Sequence, residues 1–350
     1  MRAAILYQDR DIHPGDTSDP EIGQDQVLVA TSYAGICGTD LHVYRGEFSG
    51  RVKYPAILGH EFGGTIEEVG SNVQGFRVGD RVVVDPIMSC HHCPACLTGH
   101  INACRTLRLL GIDLAGGFGQ YVAVPADRLI SLPEDIPMSH APMVELYGIG
   151  HHVLSRGQVQ PGETVAILGA GKVGLSVLDV LCHTAGPALT VCTDMHSFRL
   201  QTALTLGADY VINVKDEDPV ERVMQITGGI GVDCVIETIG HFHTVEGQDA
   251  PLAQAVQMIR NGGRVVTVGL GEQYSAVHFK TFVIKEAQMI ASRVTLGEFP
   301  RAIRLLSKGL LHPDLLVTHR LPASDVTAAF SQSDREEPET LKIVLNMREW

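Results

Sequence analysis

Residues 164–174 read Thr-Val-Ala-Ile-Leu-Gly-Ala-Gly-Lys-Val-Gly, an apolar run that leads directly into a glycine-rich turn. The run predicts a buried strand, and Gly169, Gly171 and Gly174 after it match the pattern G-x-G-x-x-G. Between a strand and a helix, the first glycine permits a tight turn and the second lets a pyrophosphate approach the backbone. The third lets the helix pack closely on the strand. The stretch therefore predicts a dinucleotide-binding unit.

The residues that flank this turn indicate which dinucleotide binds. Lys172 and Val173 open the predicted helix, whose free N–H groups and partial positive charge favour phosphates. Asp194 ends the next apolar strand, where a carboxylate can accept hydrogen bonds from both ribose hydroxyls and repels a 2′-phosphate. We therefore expect NAD as the cofactor. NADP stays open as the less favoured alternative, because Arg199 could reach a phosphate.

The alternation of strand and helix continues from about residue 149 to residue 291. Apolar runs that predict strands lie at 164–168, 189–192, 210–212, 232–236, 264–268 and 289–291. Continuous apolar strands that alternate with helices are typical of a parallel sheet covered on both faces. The sequence thus predicts an α/β domain with a doubly wound, parallel sheet of six strands.

The two flanking segments have a different pattern. Residues 1–148 contain short strand-like runs separated by glycine and proline, which indicates a compact β barrel or sandwich. Residues 292–350 contain two predicted helices, at 300–308 and about 325–330. They also contain two predicted strands, at 315–319 and 341–345. This tail is not another strand–helix repeat, so we expect it to complete the first domain, with the α/β domain as an insertion.

Composition and charge exclude several classes of function. The net charge is −13 and no basic patch is visible, so we expect no nucleic-acid partner. No apolar run is long enough to span a bilayer, and the N-terminus lacks the pattern of a signal peptide. We therefore expect a cytoplasmic protein with no membrane partner.

Four of the eight cysteines are crowded between residues 88 and 106. Cys90, Cys93, Cys96 and Cys104 have a spacing at which four thiolates can close around a tetrahedral zinc ion with no vacant position. Such a site is structural, and an iron–sulfur cluster is the less favoured alternative. The other cysteines, Cys182, Cys192 and Cys234, fall in predicted helices or strands and are expected to be buried and inert.

A second candidate metal site combines residues that are distant in sequence. Cys37 lies in Gly-Ile-Cys-Gly-Thr-Asp-Leu-His at 35–42, and His60 and Glu61 lie side by side in Gly-His-Glu-Phe-Gly-Gly at 59–64. Glu145 follows in a later apolar run. A thiolate, an imidazole and one or two carboxylates can form an open zinc site that leaves a position for water or substrate.

In order along the chain, these motifs resemble the zinc-dependent medium-chain alcohol dehydrogenases. The resemblance covers essentially the whole chain, and the most similar branch is that of polyol and sugar-acid dehydrogenases, which includes sorbitol, threonine and galactonate-type enzymes. It implies a GroES-like β-barrel catalytic domain with an inserted Rossmann domain and an active site in the cleft between them. It also implies two zinc ions per chain, and Val268, Gly269 and Leu270 are expected to contact the cofactor.

The resemblance further implies roles for single residues. Cys37 and His60 would bind the catalytic zinc, Glu61 would exchange on and off the metal, and Glu145 would bind it directly or through water. The branch usually has proline after this last glutamate, whereas this chain has Leu146. Thr39 would contact the substrate oxygen and His42 would pass the proton to solvent, since the pKa of histidine lies near working pH.

The sequence is compatible with more than one function in this class of protein. The leading hypothesis is NAD-linked oxidation of a secondary alcohol on a polyol, sugar or sugar acid, by hydride transfer. The alternatives are a threonine-type amino alcohol dehydrogenase and a non-catalytic nucleotide-binding relative. We expect a small-molecule alcohol as substrate and a homo-oligomer, either a tetramer or a dimer. Substrate contacts are predicted for Tyr44, Phe118, Glu145 and Arg293, with further pocket candidates at Arg45, Phe48 and His151.

Overall fold

The computed structural model describes residues 1–47, 50–240, 248–271, 274–335 and 337–350. These residues form two compact units, and the chain passes from the first unit to the second and back twice. The first unit comprises Met1–Leu146, Phe299–Gly309 and Val317–Trp350. The second comprises Tyr147–Glu298 and Leu310–Leu316. None of the described helices is both long and apolar enough to cross a bilayer.

The strands are numbered in chain order. They are β1 Arg2–Gln8, β2 Asp11–Asp16, β3 Gln26–Gly35, β4 Ala56–Ile57, β5 Glu61–Val69, β6 Arg81–Val84, β7 Ile87–Met88, β8 Arg108–Leu109, β9 Tyr121–Pro125, β10 Leu129–Ser131, β11 Thr164–Leu168, β12 Leu189–Asp194, β13 Tyr210–Asn213, β14 Val232–Glu237, β15 Ile259–Thr267, β16 Gln288–Ala291, β17 Val317–Pro322 and β18 Lys342–Asn346.

The α-helices are numbered in the same way. They are α1 Gly38–Tyr44, α2 Pro94–Leu97, α3 Met143–Gly157, α4 Lys172–Thr184, α5 Ser197–Thr205, α6 Pro219–Ile226, α7 Pro251–Met258, α8 Phe279–Ile284, α9 Phe299–Ser307, α10 Pro313–Leu316 and α11 Val326–Asp334. Short 3₁₀ turns lie at Ile101–Ala103, Ala126–Arg128, Met138–His140 and Ala323–Asp325.

The second unit is built on a parallel six-stranded sheet with the order β13-β12-β11-β14-β15-β16. Every neighbouring pair in it is parallel. The chain starts at the centre with β11, moves out to one edge, and returns to the centre before it moves to the other edge. This is the doubly wound topology, in which ligands bind where the strand order reverses. The predicted parallel sheet of six strands is confirmed, and each predicted run lies wholly or almost wholly in a strand.

The first unit contains a sheet of seven strands with β3 at its centre. This strand pairs with β5, β9 and β18, all antiparallel. Its side chains alternate between buried and partly exposed over most of its length, as expected for a strand with one face on a core. Core residues of this unit include Val27, Val29, Phe62, Phe118, Phe330 and Leu345. The tail contributes β18 to this sheet, so β18 is both the last strand in sequence and a direct neighbour of β3.

One predicted element in the tail is partly wrong. The run 315–319 was expected to be a strand, but Leu315 and Leu316 end the short helix α10, and the strand begins at Val317. Pro313 explains the difference, because its fixed φ and missing N–H suit the first turn of a helix. The β-branched Val317 and Thr318 after this turn then favour the strand.

Candidate active site

The pairing of β3 with β5 brings the predicted thiol, imidazole and carboxylate together. Gly35 at the end of β3 pairs with Glu61 at the start of β5, and Cys37 follows immediately at the N-terminus of α1. One ligand atom from each of Cys37, His60 and Glu61 lies within 4.8 Å of the others. His60 and Glu61 are buried. The three residues therefore form a compact set of metal-ligand donors inside the first unit.

Asp40 lies beneath this cluster and contacts two of its members. Its Oδ2 accepts a hydrogen bond of 2.8 Å from the backbone N–H of Cys37, and its Oδ1 lies 3.4 Å from Nδ1 of His60. Burial opposes a charge on His60, but the anionic groups of Asp40 and Cys37 outweigh it and raise the pKa of His60. The surroundings of this imidazole thus favour positive charge.

Lys342 is a member of the cluster that the sequence analysis missed. It is completely buried, and its Nζ donates to Glu61 Oε2 and, at 3.1 Å, to the carbonyl oxygen of Ile36. Burial alone would lower the pKa of Lys342, but Glu61 and Cys37 outweigh it and raise that pKa. The only signal in the sequence is a lysine that begins an otherwise apolar strand, Lys-Ile-Val-Leu-Asn.

Gly35 provides the space for this buried ion pair. A Cβ at position 35 would lie 2.6 Å from Glu61 Oε2 and 2.8 Å from Lys342 Cε, closer than carbon side-chain atoms approach in proteins. Any larger residue would therefore displace the carboxylate or the lysine. Gly35, two residues before Cys37, is thus required by the cluster.

Glu145 adds a second carboxylate to the same region. It lies in the first turn of α3 and is 5% exposed. Burial, and next the Glu61 carboxylate, raise the pKa of Glu145 to about 7, while His60 and Lys342 act in the opposite direction. Its Oε2 has no hydrogen-bond partner among the described residues. Leu146, which stands where proline is expected, continues the helix.

The donor set fits a divalent metal ion. Three buried atoms, His60 Nδ1, Glu61 Oε1 and Glu145 Oε2, lack hydrogen-bond partners in the described part of the chain. Unpartnered buried polar atoms are costly unless something satisfies them. A thiolate, an imidazole and carboxylates are the ligands of open zinc sites. Cys37, His60, Glu61 and Glu145 can therefore hold such an ion.

Thr39 and His42 lie one turn apart on α1, next to Cys37 in sequence. His42 is partly exposed, and its Nδ1 faces Glu47 Oε2 at a short distance. The helix thus carries a hydroxyl near the metal-ligand cluster and, one turn later, a partly exposed imidazole that faces a carboxylate. The Glu47 contact was not predicted.

The structure places the predicted substrate residues in different environments. Tyr44 and Phe118 pack against Phe330 with ring centroids 5.3 and 5.9 Å apart. Phe118 is 0% exposed, and both rings belong to the hydrophobic core of the first unit. Arg45 donates to Asp334 Oδ1 at 2.6 Å. Arg293 is exposed in the second unit and His151 is buried there, while Phe48 lies outside the described residues.

The glycine turn in the second unit has the geometry that a nucleotide needs. Gly169 has a φ of +93°, which favours glycine. A Cβ on Gly174 would lie 1.8 Å from the carbonyl oxygen of Gly169, so only glycine lets the helix start this close to the strand. A Cβ on Gly171 would meet nothing within 4 Å. The turn therefore leaves open space over its second glycine, next to the N-terminus of α4.

Asp194 is held at the end of β12, next to the glycine turn. Its Oδ2 accepts a hydrogen bond of 2.9 Å from the backbone N–H of Ala170, and its Oδ1 accepts one of 2.9 Å from His196. Arg199 lies nearby, with Nη1 3.9 Å from Asp194 Oδ2. The buried Nε of Arg199 has no hydrogen-bond partner among the described residues.

The other predicted cofactor residues lie on the same side of the sheet. Val268, Gly269 and Leu270 follow β15 directly, and the backbone N–H of Val268 donates to the carbonyl oxygen of Glu237. Leu270 is exposed. These residues follow the carboxyl end of a parallel strand. Ligands bind beyond the carboxyl ends of the strands in this topology.

Cys90, Cys93, Cys96 and Cys104 converge in a small lobe of the first unit. The Cys93–Cys96, Cys90–Cys96 and Cys93–Cys104 Sγ distances are 3.5, 4.0 and 4.0 Å. Zinc–sulfur bonds of about 2.3 Å in a tetrahedron place the sulfurs about 3.8 Å apart. The four thiols therefore have the spacing of a closed zinc site. No disulfide joins them.

The remaining cysteines lie in regular elements. Cys192 and Cys234 are buried in β12 and β14, as predicted, and burial raises the pKa of Cys234 to about 12. Cys182 in α4 is only partly buried, and burial raises its pKa to about 11. All three are therefore thiols rather than thiolates at neutral pH, which makes them poor nucleophiles.

Two family models match the chain. Residues 23–134 match the alcohol dehydrogenase GroES-like domain, and residues 173–308 match the zinc-binding dehydrogenase model. The chain is also 33% identical over 349 residues to the starvation-sensing protein RspB of Escherichia coli K12, which covers 100% of each sequence. The chain belongs to the zinc-dependent medium-chain alcohol dehydrogenase family. The predicted family, and its class of NAD(P)-dependent oxidoreductases, are confirmed.

Two other relatives in this family have named activities. The chain is 32% identical to sorbitol dehydrogenase of Bacillus subtilis, over 99% of this chain and 97% of that protein. It is 34% identical to L-threonine 3-dehydrogenase of Bacillus velezensis, over 89% of each. Polyol and amino alcohol dehydrogenases are therefore similar to this chain to about the same degree.

Solved structures of family members share the fold. One is RspB from E. coli CFT073 in complex with NADH, with a TM-score of 0.90, 33% identity and 99% coverage of both chains. Another is a zinc-binding dehydrogenase from Sinorhizobium meliloti bound to NADP, with a TM-score of 0.91, 29% identity and coverage of 99% and 98%. The predicted combination of a GroES-like domain with a Rossmann domain is confirmed.

The ion pair between Lys342 and Glu61 leads to a prediction about stability. Replacing Lys342 by Ala leaves the Glu61 carboxylate buried without its cation, so we expect the free energy of unfolding to fall by about 3–5 kcal/mol. The measurement is urea denaturation followed by circular dichroism. The double variant Lys342→Met with Glu61→Gln should lower the free energy of unfolding by less, because neither buried charge remains. Lys308→Ala, at an exposed site, is the control, and an equal loss there would contradict the prediction.

Proposed function

We propose that this chain is an NAD-linked zinc dehydrogenase that oxidises a secondary alcohol on a polyol, sugar or sugar acid to the ketone. The observation that carries the proposal is the compact donor set of Cys37, His60 and Glu61, with the buried carboxylate of Glu145 in the same region. The other unit of the same chain carries a glycine turn with space for a dinucleotide. The similarity to a sorbitol dehydrogenase over nearly the whole chain supports the substrate class.

In this proposal the four donors hold the catalytic zinc. Cys37 and His60 are fixed by Asp40, which contacts the backbone of one and the ring of the other. Glu61 has one oxygen bound to Lys342, so only Oε1 is available to a metal. Lys342 therefore offers the Glu61 carboxylate a second position, consistent with a ligand that binds and releases the metal. Glu145 is the second carboxylate ligand, directly or through water.

The chemistry is divided between the bound groups and the protein. Zinc, when bound, supplies a Lewis acid that favours ionisation of an alcohol, and NAD supplies a nicotinamide that accepts hydride. Thr39 presents a hydroxyl beside Cys37 that can accept or donate a hydrogen bond to the substrate oxygen. His42 accepts the proton and faces Glu47, which lies on the way to solvent. This order along α1 gives the proton a route away from the buried cluster.

The other two groups have structural and binding roles. We propose that Cys90, Cys93, Cys96 and Cys104 hold a structural zinc, which gives two family-type zinc ions per chain. Lys172, Val173 and the three glycines of the turn bind the pyrophosphate, with Val268, Gly269 and Leu270 beside the cofactor. Asp194 binds the adenosine ribose and favours NAD. Arg199 weakens this preference, because its cation lies within reach of the same position.

The substrate is the part of the function that the residues define least. Arg45 is paired with Asp334, so its guanidinium is engaged within the first unit. Arg293 is the remaining predicted cation that could bind a carboxylate of a sugar acid. The similarity to L-threonine 3-dehydrogenases favours an amino alcohol as the second candidate substrate.

We also propose that the chain assembles as a homo-oligomer through the β16 edge of its parallel sheet. β16 is the last strand of the sheet, and Met289 on it is exposed. Phe279, Val283 and Ile284 of α8, the preceding helix, are also exposed. An exposed strand edge next to apolar side chains is a typical protein–protein contact surface. Pairing with a second copy would cover it.

The function is tested by a substrate panel with NAD⁺ or NADP⁺, followed by the absorbance of the reduced cofactor. The panel contains polyols, sugar acids and L-threonine. We expect the highest kcat/KM for a polyol or sugar acid with NAD⁺. Cys37→Ser should abolish turnover and lower the zinc content by one ion per chain, whereas Cys182→Ser should do neither. A preference for L-threonine would favour the second candidate, and wild-type protein with zinc only in the cysteine lobe would reject the proposal.

The proton route predicts a pH-dependent effect of His42→Gln. A base is most needed at low pH, where water and hydroxide accept protons poorly. We therefore expect the oxidation rate to fall by roughly 10- to 100-fold near pH 6 and much less at alkaline pH. The measurement is the pH profile of kcat. His13→Gln, a change at another partly exposed histidine of the same unit, is the matched control. A loss that is the same at every pH would argue against the relay.

The assembly proposal predicts that a charge on the edge strand separates the subunits. Met289→Lys places an ammonium group at the centre of the proposed contact, so we expect a smaller assembly by sedimentation equilibrium. Ile230→Lys is the control, because Ile230 is also exposed and apolar but lies away from β16. Unchanged mass in Met289→Lys would place the interface elsewhere.

A further inference from the structure

Asp179, His183 and His312 form a third cluster of ligand-type side chains, within the second unit. Asp179 and His183 are one helical turn apart on α4, so their side chains lie on the same face of the helix. His312 comes from the segment just before α10. One ligand atom of each residue lies within 4.8 Å of the others. The cluster shares no residue with the two zinc sites proposed above.

The two carboxylate oxygens of Asp179 have different partners. Oδ2 accepts hydrogen bonds from the Tyr147 hydroxyl at 2.8 Å and from the His312 backbone N–H at 2.7 Å. Oδ1 faces two imidazoles, with His312 Nδ1 at 2.9 Å and His183 Nδ1 at 3.5 Å. The carboxylate is completely buried and rigidly held by one oxygen. Its other oxygen is thus presented to two nitrogen ligands.

We propose that this cluster binds a divalent transition-metal ion such as Zn²⁺ through Asp179 Oδ1 and one ring nitrogen each of His183 and His312. Zinc bonds of about 2.0–2.2 Å in a tetrahedron place the ligand atoms about 3.4 Å apart. The two oxygen–nitrogen distances of 2.9 and 3.5 Å lie on either side of that value.

The surroundings of the cluster support a metal site. Ligating carboxylates are usually hydrogen-bonded through their other oxygen, which is the role that Tyr147 and the His312 backbone fill here. The side chains of His183 and His312 are 26% and 43% exposed, so an ion can enter from solvent and keep a water ligand. Imidazole and carboxylate together suit zinc better than magnesium or calcium. With three protein ligands, the fourth coordination position of the ion is open to water.

The competing explanation is a hydrogen-bonded network without an ion. In that arrangement His312 Nδ1 carries a proton toward Asp179, and His183 Nδ1 donates to the carbonyl oxygen of Asp179 at 2.7 Å. An ion would replace these two protons, and His183 would give up its bond to the helix carbonyl. The two arrangements therefore differ in zinc content, which can be measured directly.

The test compares zinc uptake by the whole protein and by two variants. Wild-type protein, His183→Gln and His312→Gln are equilibrated with micromolar free zinc, and bound zinc per chain is measured. We expect each variant to bind one ion fewer than wild type. His278→Gln is the matched control, since His278 is a histidine of the same unit whose Nδ1 lies 2.7 Å from Thr281 Oγ1, and it should keep the wild-type zinc content. The comparison does not depend on how many other sites are filled.

A second measurement follows zinc binding by titration and by thermal stability. Titration of the wild-type protein with zinc against a chromophoric chelator should show one further binding step beyond the ions that are present after purification. The same addition should raise the thermal midpoint of wild type and of His278→Gln but not of the two cluster variants, because binding to the folded state alone stabilises it. Equal zinc content in all four proteins, or an equal rise of the thermal midpoint in all four, would overturn the proposal.

Discussion

The candidate site depends on the side-by-side pairing of β5, β3 and β18. Gly35 near the end of β3 pairs with Glu61 on one side and with Val344 on the other. Three segments far apart in sequence therefore contribute to one buried place. Because successive side chains of a strand point to opposite faces, a shift of one residue in either pairing would turn Glu61 or Lys342 away from the cluster. The candidate site can therefore form only when both strand pairings have the observed register.

The ion pair between Lys342 and Glu61 makes this register specific. Removing one partner of a buried ion pair destabilises the fold much more than replacing both partners by apolar groups. An alternative register would leave a buried charge without its partner, so the pair disfavours such registers even if it adds little net stability. Gly35 completes the arrangement, because only glycine leaves room for both side chains. The specificity for this strand register thus arises from the glycine at position 35 and from the charges of Lys342 and Glu61.

What the sequence could predict depended on how far apart the cooperating residues are. The glycine turn, the six apolar runs and the four-cysteine lobe are local patterns, and the structure has each of them where it was predicted. Cys37, His60 and Glu61 could be proposed together because a thiol, an imidazole and a carboxylate are typical zinc ligands, and the family resemblance supported this grouping. Lys342 was missed because its partner is 281 positions away and one lysine in a strand carries no spacing signal. His312 likewise carries no spacing signal, since Asp179 is 133 positions away.

The two carboxylates of the site are not equivalent, and the difference follows from their electrostatic surroundings. Glu61 has a direct cationic partner in Lys342, whereas Glu145 has an oxygen without any hydrogen-bond partner in the described part of the chain, and burial and Glu61 raise its pKa. With His60 neutral, as metal ligation requires, the carboxylates of Asp40, Glu61 and Glu145 carry more negative charge than Lys342 alone can balance. A divalent ion restores the balance and satisfies Glu145, while Lys342 can still compensate Glu61. We therefore expect Glu145 to depend on the metal more strongly than Glu61 does, although Glu61 is the nearer to His60 in sequence.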